Sequence, residues 1–212
     1  SGALGAVCHQ INRVLQQRRA QQRLLAMLPA PPPAVAARLA DLSVPPEGLT
    51  TQIAVLAMRL PGGNDPTAAD LQLAAAEAVR QAALHGALLS RNGNVLLLSF
   101  GALGGTPDTA VRSAYRAAFG LHAAWQDLPA AARPALCLTS GRVEALVAPG
   151  LGYTLVGAPL YEAMALLATA PADTLHCNEA SYLQLRRLGT ITTPLAAAVP
   201  ANRRQSYAIP FA

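Results

Sequence analysis

The residues that could do chemistry are few, and most stand apart. Cys8, Cys137 and Cys177 are odd in number, and no C-x-x-C pair exists, so the spacing excludes a thiolate zinc site. His9, His85, His122 and His176 are scattered without clustered acids, which gives no metal-ligand set. No Ser-His-Asp or Cys-His arrangement has motif context. The segment "LGYTLVGAPLYEAMALL", residues 151–167, has the strand–glycine–helix rhythm of a nucleotide-handling site, turning at Val156-Gly157. Where such a site would keep acids, amides and arginines it holds Ala158, Tyr161 and Ala165. Acids are also missing upstream, with no Asp or Glu between Glu77 and Asp108.

Bulk properties bound the class. The chain has 212 residues, 52% of them hydrophobic, enough for one full core plus an accessory segment. The net charge is +5 and every strongly basic residue is Arg, which with the abundant Ala points to a GC-rich genome rather than to nucleic-acid binding. Arg13, Arg18, Arg19 and Arg23 form a solvated helical face. No apolar run reaches the roughly 18 residues of a membrane span. The start lacks the order of a signal peptide and lacks Met, so the chain reads as a piece of something longer. Sparse thiols fit a reducing cytoplasm.

These residues need elements to hold them. The first, over residues 4–28, is a helix with an a/d stripe at Leu4, Val7, Ile11, Val14, Leu25 and Leu28, interrupted at Arg18 and Gln21. One amphipathic helix cannot bury its stripe alone, so a parallel two-stranded coiled coil is expected. Pro29 and Pro31 to Pro33 end it, and a short helix follows over residues 33–42. "TTQIAVLAMRL" reads as a buried strand, and Asp65-Pro66 opens a helix ending near Gly86. Two strands flank Asn92-Gly93, a hairpin signal. A helix over residues 106–128 leads to "ALCLTSGRVEALVA", read as two strands around Ser140-Gly141. "GYTLV", a helix from Ala158 and the strand "DTLHC" come next. Asn178 caps the following helix, and two strands close the chain. The order predicts an α+β fold, a βαββαβ ferredoxin-like sandwich with helices on an antiparallel sheet and an N-terminal coiled-coil helix. The expected division is residues 1–29 for the signalling helix and 30–212 for the globular domain.

With the elements placed, residues 28–187 resemble the catalytic domain of class III adenylate and guanylate cyclases. "LPAPPPAVAARL" is similar to the family's "LP-x-x-V-A-x-x-L", "IAVLAMRLPGG" to "VTVLFADIRGFT", and "NGNVLLLSFG" to "IGDGVLAVFG". "CLTSGRV" is similar to "GIHTGEV", "GYTLVGAPLYEAMAL" to "DYTVIGDAVNLAARL", and "NEASYLQL" to "SEATYEAL". The resemblance implies two Mg²⁺-binding Asp positions, and these fall on Arg59 and Asn94. The purine-selecting Lys falls on Ser90, the transition-state Asn on Tyr161 and the Arg after it on Ala165. Thr154 alone conforms, as a nucleotide-binding candidate. Val95 replaces a Gly beside the hairpin Asp.

Read this way, the chain is expected to be a degenerate member without cyclase activity, not an enzyme, holding neither metal nor cofactor. It would act as a cytoplasmic signalling or scaffolding pseudoenzyme, by dimerisation and protein binding. A purine-nucleotide-binding regulatory domain without cyclase activity is the alternative. The helix "LGAVCHQINRVLQQ" is similar to the second helix of a HAMP domain, "IGELARAINRMLDQL". That implies a homodimeric output domain of a bacterial inner-membrane sensor, with an unidentified protein partner and no nucleic acid. Membrane contact would run only through segments outside this chain.

Overall fold

The computed structural model describes residues 49–60, 68–102, 104–128, 133–148, 152–171, 174–191, 197–198 and 206–211. The helix expected over residues 4–28, its dimer stripe and the short helix at 33–42 lie outside them. Strand β1 (Leu49–Arg59) leads to helix α1 (Ala68–His85), the hairpin β2 (Leu88–Asn92) and β3 (Val95–Phe100), then α2 (Pro107–Ala124) and β4 (Ala135–Ala148). The additions are β5 (Gly152–Val156), α3 (Ala158–Leu167), β6 (Thr174–Asn178), α4 (Glu179–Arg187), β7 (Ala197–Ala198) and β8 (Ser206–Pro210). The fold is α+β, as expected, and its first six elements run βαββαβ.

The chain divides into two compact units. The smaller comprises Ser1–Leu49 and Ala145–Leu155, and β5, most of which belongs to it, pairs with β4. The larger comprises Thr50–Glu144 and Val156–Ala212. Its strands run in the order β2-β3-β1-β4-β6-β8-β7. The sheet is mixed, because β4 and β6 pair in parallel, Leu136 opposite Leu175. A parallel pair needs a crossover, and α3 lies within the one that joins these strands.

Period-2 alternation sorts the side chains. Ala54, Leu56 and Met58 of β1, Leu96 and Leu98 of β3, and Leu136 and Leu138 of β4 face one side and join a single buried cluster. The small buried residues of α1 and α2, such as Ala78, Ala114 and Ala118, bring those helices close to the sheet. Thr106 caps α2 by accepting from the Thr109 amide, the Thr109 hydroxyl accepts from the Thr106 amide, and Pro107 suits the first turn.

Two local expectations are corrected. The hairpin turn is Gly93-Asn94, not Asn92-Gly93, because Asn92 closes the ladder opposite Val95. Gly93 has φ 61°, which a residue with a Cβ adopts only with strain. Ser140-Gly141 is no turn, since β4 runs through it as one strand. Ser140 is buried and bonded to α4, and a Cβ on Gly141 would stand 2.8 Å from Pro159 Cγ. These polar and small residues serve contacts across the strand.

Candidate functional site

Helix α3 covers the sheet face opposite α1 and α2. The Thr139 hydroxyl donates to the Pro159 carbonyl at 2.8 Å, which ties the first turn of α3 to β4. Gly157 lets α3 start close to the sheet, since a Cβ there would lie 2.8 Å from the Arg142 carbonyl oxygen and 2.9 Å from Val143 Cα. Asn178 binds the parts together. Its side-chain oxygen accepts from the Ser181 amide at 3.0 Å and the Ser140 amide at 3.4 Å. Its nitrogen donates to Glu162 Oε2 at 2.8 Å and to the Ser140 carbonyl at 3.4 Å. One amide therefore joins α3, β4, β6 and the cap of α4, using two acceptor and two donor positions.

Tyr161 and Ala165 project from α3 into solvent, as the i, i+4 spacing requires of residues on one face. Tyr161 is 68% exposed. Ala158 in the first turn and Ala168, the C-cap, are also exposed, as is Val156 before the helix. Glu162 is the only charged residue of α3 and is already bonded to Asn178. Position 162 was missed in the sequence. The signal that could have found it is a single acid in an otherwise apolar helix.

The other predicted positions gather at the end of β1. Arg59 is the last residue of β1, half-buried, paired in register with Val95. Val95 in turn pairs with Asn92, so Arg59, Val95 and Asn92 form one row across three strands, on the side of the sheet that carries α3. Ser90 stands one row back on that face, exposed on the outer strand, opposite Leu97. Asn94 sits in the turn. The Leu60 amide donates to the Asn94 carbonyl at 2.9 Å, and Asn94 Nδ2 donates to the Leu60 carbonyl at 3.3 Å. Two bonds thus pin the hairpin tip to the end of β1. The Arg59 side chain has no hydrogen bond or ion pair among the described residues, though its charge acts on the Cys137 thiol. Thr154 is half-buried on β5, within the smaller unit.

Nearby titratable groups are not poised for chemistry. Burial pushes the Cys137 thiol far up, with Cys177 adding to the rise and Arg59 opposing it. Burial also raises Cys177, to about 12. Neither thiol forms a thiolate near neutral pH. Burial lowers His176, whose Nε2 is buried and has no partner among the described residues. A groove of about 490 Å³ lies by Gln52, towards the other end of β1, and its Asp108 is already held by Arg187 and Gln184.

The donor set does not fit Mg²⁺, the ion that the family resemblance implies. Hard Mg²⁺ wants carboxylate oxygens. Arg59 offers a positive guanidinium, and Asn94 offers a neutral amide whose nitrogen already donates to Leu60. Among the described residues no three of His, Cys, Asp and Glu come together as a metal site.

No protein-family model and no curated protein matches the sequence. Solved structures do match. The catalytic core of a rhodopsin-guanylyl cyclase with converted specificity, in complex with ATPαS, is similar with a TM-score of 0.63 and 18% identity, over 78% of this chain and 99% of that one. The adenylyl cyclase CyaB from P. aeruginosa gives 0.62 and 14%, over 77% and 95%. A non-canonical dimeric guanylyl cyclase domain of the RhoGC fusion protein from the aquatic fungus Blastocladiella emersonii gives 0.60 and 19%, over 76% and 97%, and the monomeric form of that domain matches as well. These matches overturn the expectation that the chain is not an enzyme, because the domains sharing its architecture are themselves catalytic. The chain has the fold of the class III adenylyl and guanylyl cyclase catalytic domains.

Proposed function

We propose that this chain is a cyclase-type signalling domain that works as a homodimer and passes its state on by protein contact. The outward face of α3 carries the proposal. Tyr161 is 68% exposed in a helix whose other exposed residues are Ala158 and Ala165, with the C-cap Ala168 exposed beyond them. A large ring and small apolar neighbours on one face favour burial against another surface, and a buried aromatic is the usual anchor of such an interface. A second copy is the occupant, in keeping with the dimeric neighbour of the same fold. A purine nucleoside triphosphate is the ligand class that the fold suggests, with Thr154 as the conforming base-side position. On this reading the chain is the cytoplasmic output part of a bacterial membrane sensor, joined to it through the HAMP-like helix.

Light scattering and sedimentation across a concentration series test the dimer. Wild type is expected to dimerise, and Tyr161→Glu to weaken dimerisation at least tenfold with the thermal melt unchanged. A wild-type monomer at high concentration, or a Tyr161→Glu dimer as tight as wild type, refutes the role of this face.

A further inference from the structure

We propose that the seat of α3 is a proton-operated latch: His176, on the sheet face beneath the helix, releases α3 from the sheet when its imidazole is protonated.

His176 stands where a positive charge has no answer. Leu175 and Cys177 join the buried cluster on one side of β6, so Thr174, His176 and Asn178 face the other side, the one that α3 covers. His176 Nε2 is buried and has no hydrogen-bond partner among the described residues. A neutral imidazole tolerates this, since one of its nitrogens carries no proton. An imidazolium donates from both nitrogens, and a buried N–H without an acceptor is costly.

None of the described groups packed around His176 supplies that acceptor. On β4, Cys137 shares its row. Burial holds that thiol neutral, and the Arg59 charge that reaches it is itself a cation. On β8 the row partner is Ala208. On β6 the Thr174 hydroxyl is buried and equally unbonded, so it does not reach Nε2. On α3 the one charged group is Glu162, whose Oε2 already accepts from Asn178. Burial accordingly lowers the pKa of His176.

Helix α3 is the part that yields. It has 10 residues, and Gly157 gives it no side-chain cap. Its side-chain ties to the sheet among the described residues are the Thr139–Pro159 and Asn178–Glu162 bonds. A short helix held in this way opens at lower cost than the whole fold. Opening wets Nε2 and lets the charge be solvated. It also withdraws Tyr161, so acid weakens assembly, a consequence that rests on the reading of α3 as the dimer face.

The sign and the size follow from linkage. The opened form takes up the proton with the ordinary histidine pKa of about 6.5, and the seated form resists it. The seat is therefore firm above pH 6.5 and loosens as pH falls below it. Between pH 7.5 and 5.5 the opened share rises by at most about tenfold.

Hydrogen exchange of the full chain, followed by mass spectrometry at pH 7.5, 6.5 and 5.5 and corrected for the intrinsic rate at each pH, tests the latch. At pH 7.5 the amides of α3 should be at least tenfold less protected than those of α2, which shows separate opening. Their protection should fall by about three- to tenfold at pH 5.5 in wild type, and by less than twofold in His176→Gln. Should His176→Gln melt low, His176→Leu takes its place. Protection of α3 equal to that of α2, no change with pH in wild type, or the same fall without His176 each overturns the proposal. The Tyr161→Glu variant should keep the pH step, because the step arises within one chain, and its loss there also overturns the latch. A wild type found monomeric by light scattering refutes the dimer reading alone.

Discussion

Replacing Asn178 by Asp pits two local effects against each other, and their magnitudes decide the sign. Asp is as good an N-cap as Asn, and a negative charge at the start of α4 adds about 0.3–1 kcal/mol. Judged by the cap alone, Asn178→Asp is neutral or stabilising. The other half of the side chain reverses this. Asn178 Nδ2 donates to Glu162 Oε2 at 2.8 Å and to the Ser140 carbonyl at 3.4 Å, and Asp donates to neither when ionised. Losing a hydrogen bond to a charged acceptor costs about 1.5–3 kcal/mol. Two carboxylates at this distance also repel, by up to about 4 kcal/mol at an effective dielectric constant near 20, and half-exposure screens part of that. The net expectation at pH 7.5 is a loss of about 2–4 kcal/mol. At about 2–4 °C per kcal/mol for a chain of this size, the melting temperature falls by roughly 5–15 °C. A proton shared between the two carboxyls relieves the repulsion, so the fold holds it more tightly than the unfolded chain does. The deficit against wild type is then full at neutral pH and shrinks as pH falls towards about 4, the range of unfolded carboxyls. Melts of Asn178→Asp, Asn178→Ala and wild type at pH 7.5 and 4.5 provide the assay. An Asn178→Asp protein that melts within a degree of wild type at pH 7.5 would refute the four-bond junction.

Four further outcomes are expected. Gly157→Ala places a Cβ 2.8 Å from the Arg142 carbonyl oxygen, so α3 must shift, with a loss of about 1–3 kcal/mol in urea unfolding. Burial lowers His176, so the unfolded chain binds its proton first and the fold loses stability as pH falls through about 6.5. Urea midpoints at pH 7.5 and 5.5 read this slope, and His176→Gln should flatten it. Arg59→Asp with Asn94→Asp should create Mn²⁺ affinity that wild type lacks, measured by calorimetry. Ile11→Asp should shift a concentration-dependent dimer towards monomer by light scattering without changing the melt of the globular part, since its stripe is expected to pair in parallel.

The elements with strong local signals could be read from the sequence. Thr106-Pro107 and Asn178 start α2 and α4 because a capping oxygen and a fixed φ act within one turn. Non-local choices could not be read. The Ser140-Gly141 pair looks like a turn, yet Gly141 is small because Pro159 lies against it, and Ser140 is polar because Ser181 reaches it. The parallel β4–β6 pairing depends on where α3 carries the chain. The sequence set Arg59 at the end of a strand and Asn94 beside a hairpin tip, but that Asn92 shares a row with Arg59 depends on the pairing with Val95, which no local signal carries.

The Gly93-Asn94 turn also sets an order in time. Asn92 and Val95 are paired across the shortest loop in the sheet, and a hairpin of this kind closes in about 1–10 μs. Leu136 and Leu175 must find each other across a crossover that includes α3, and such distant parallel contacts form late. A nascent chain therefore has its β2–β3 ribbon before the seat of α3 exists. Gly93→Val, strained at that φ, lowers the population of the ribbon from which the later contacts form. A chain caught midway has its β2–β3 ribbon while the β4–β6 pairing around α3 is still unmade.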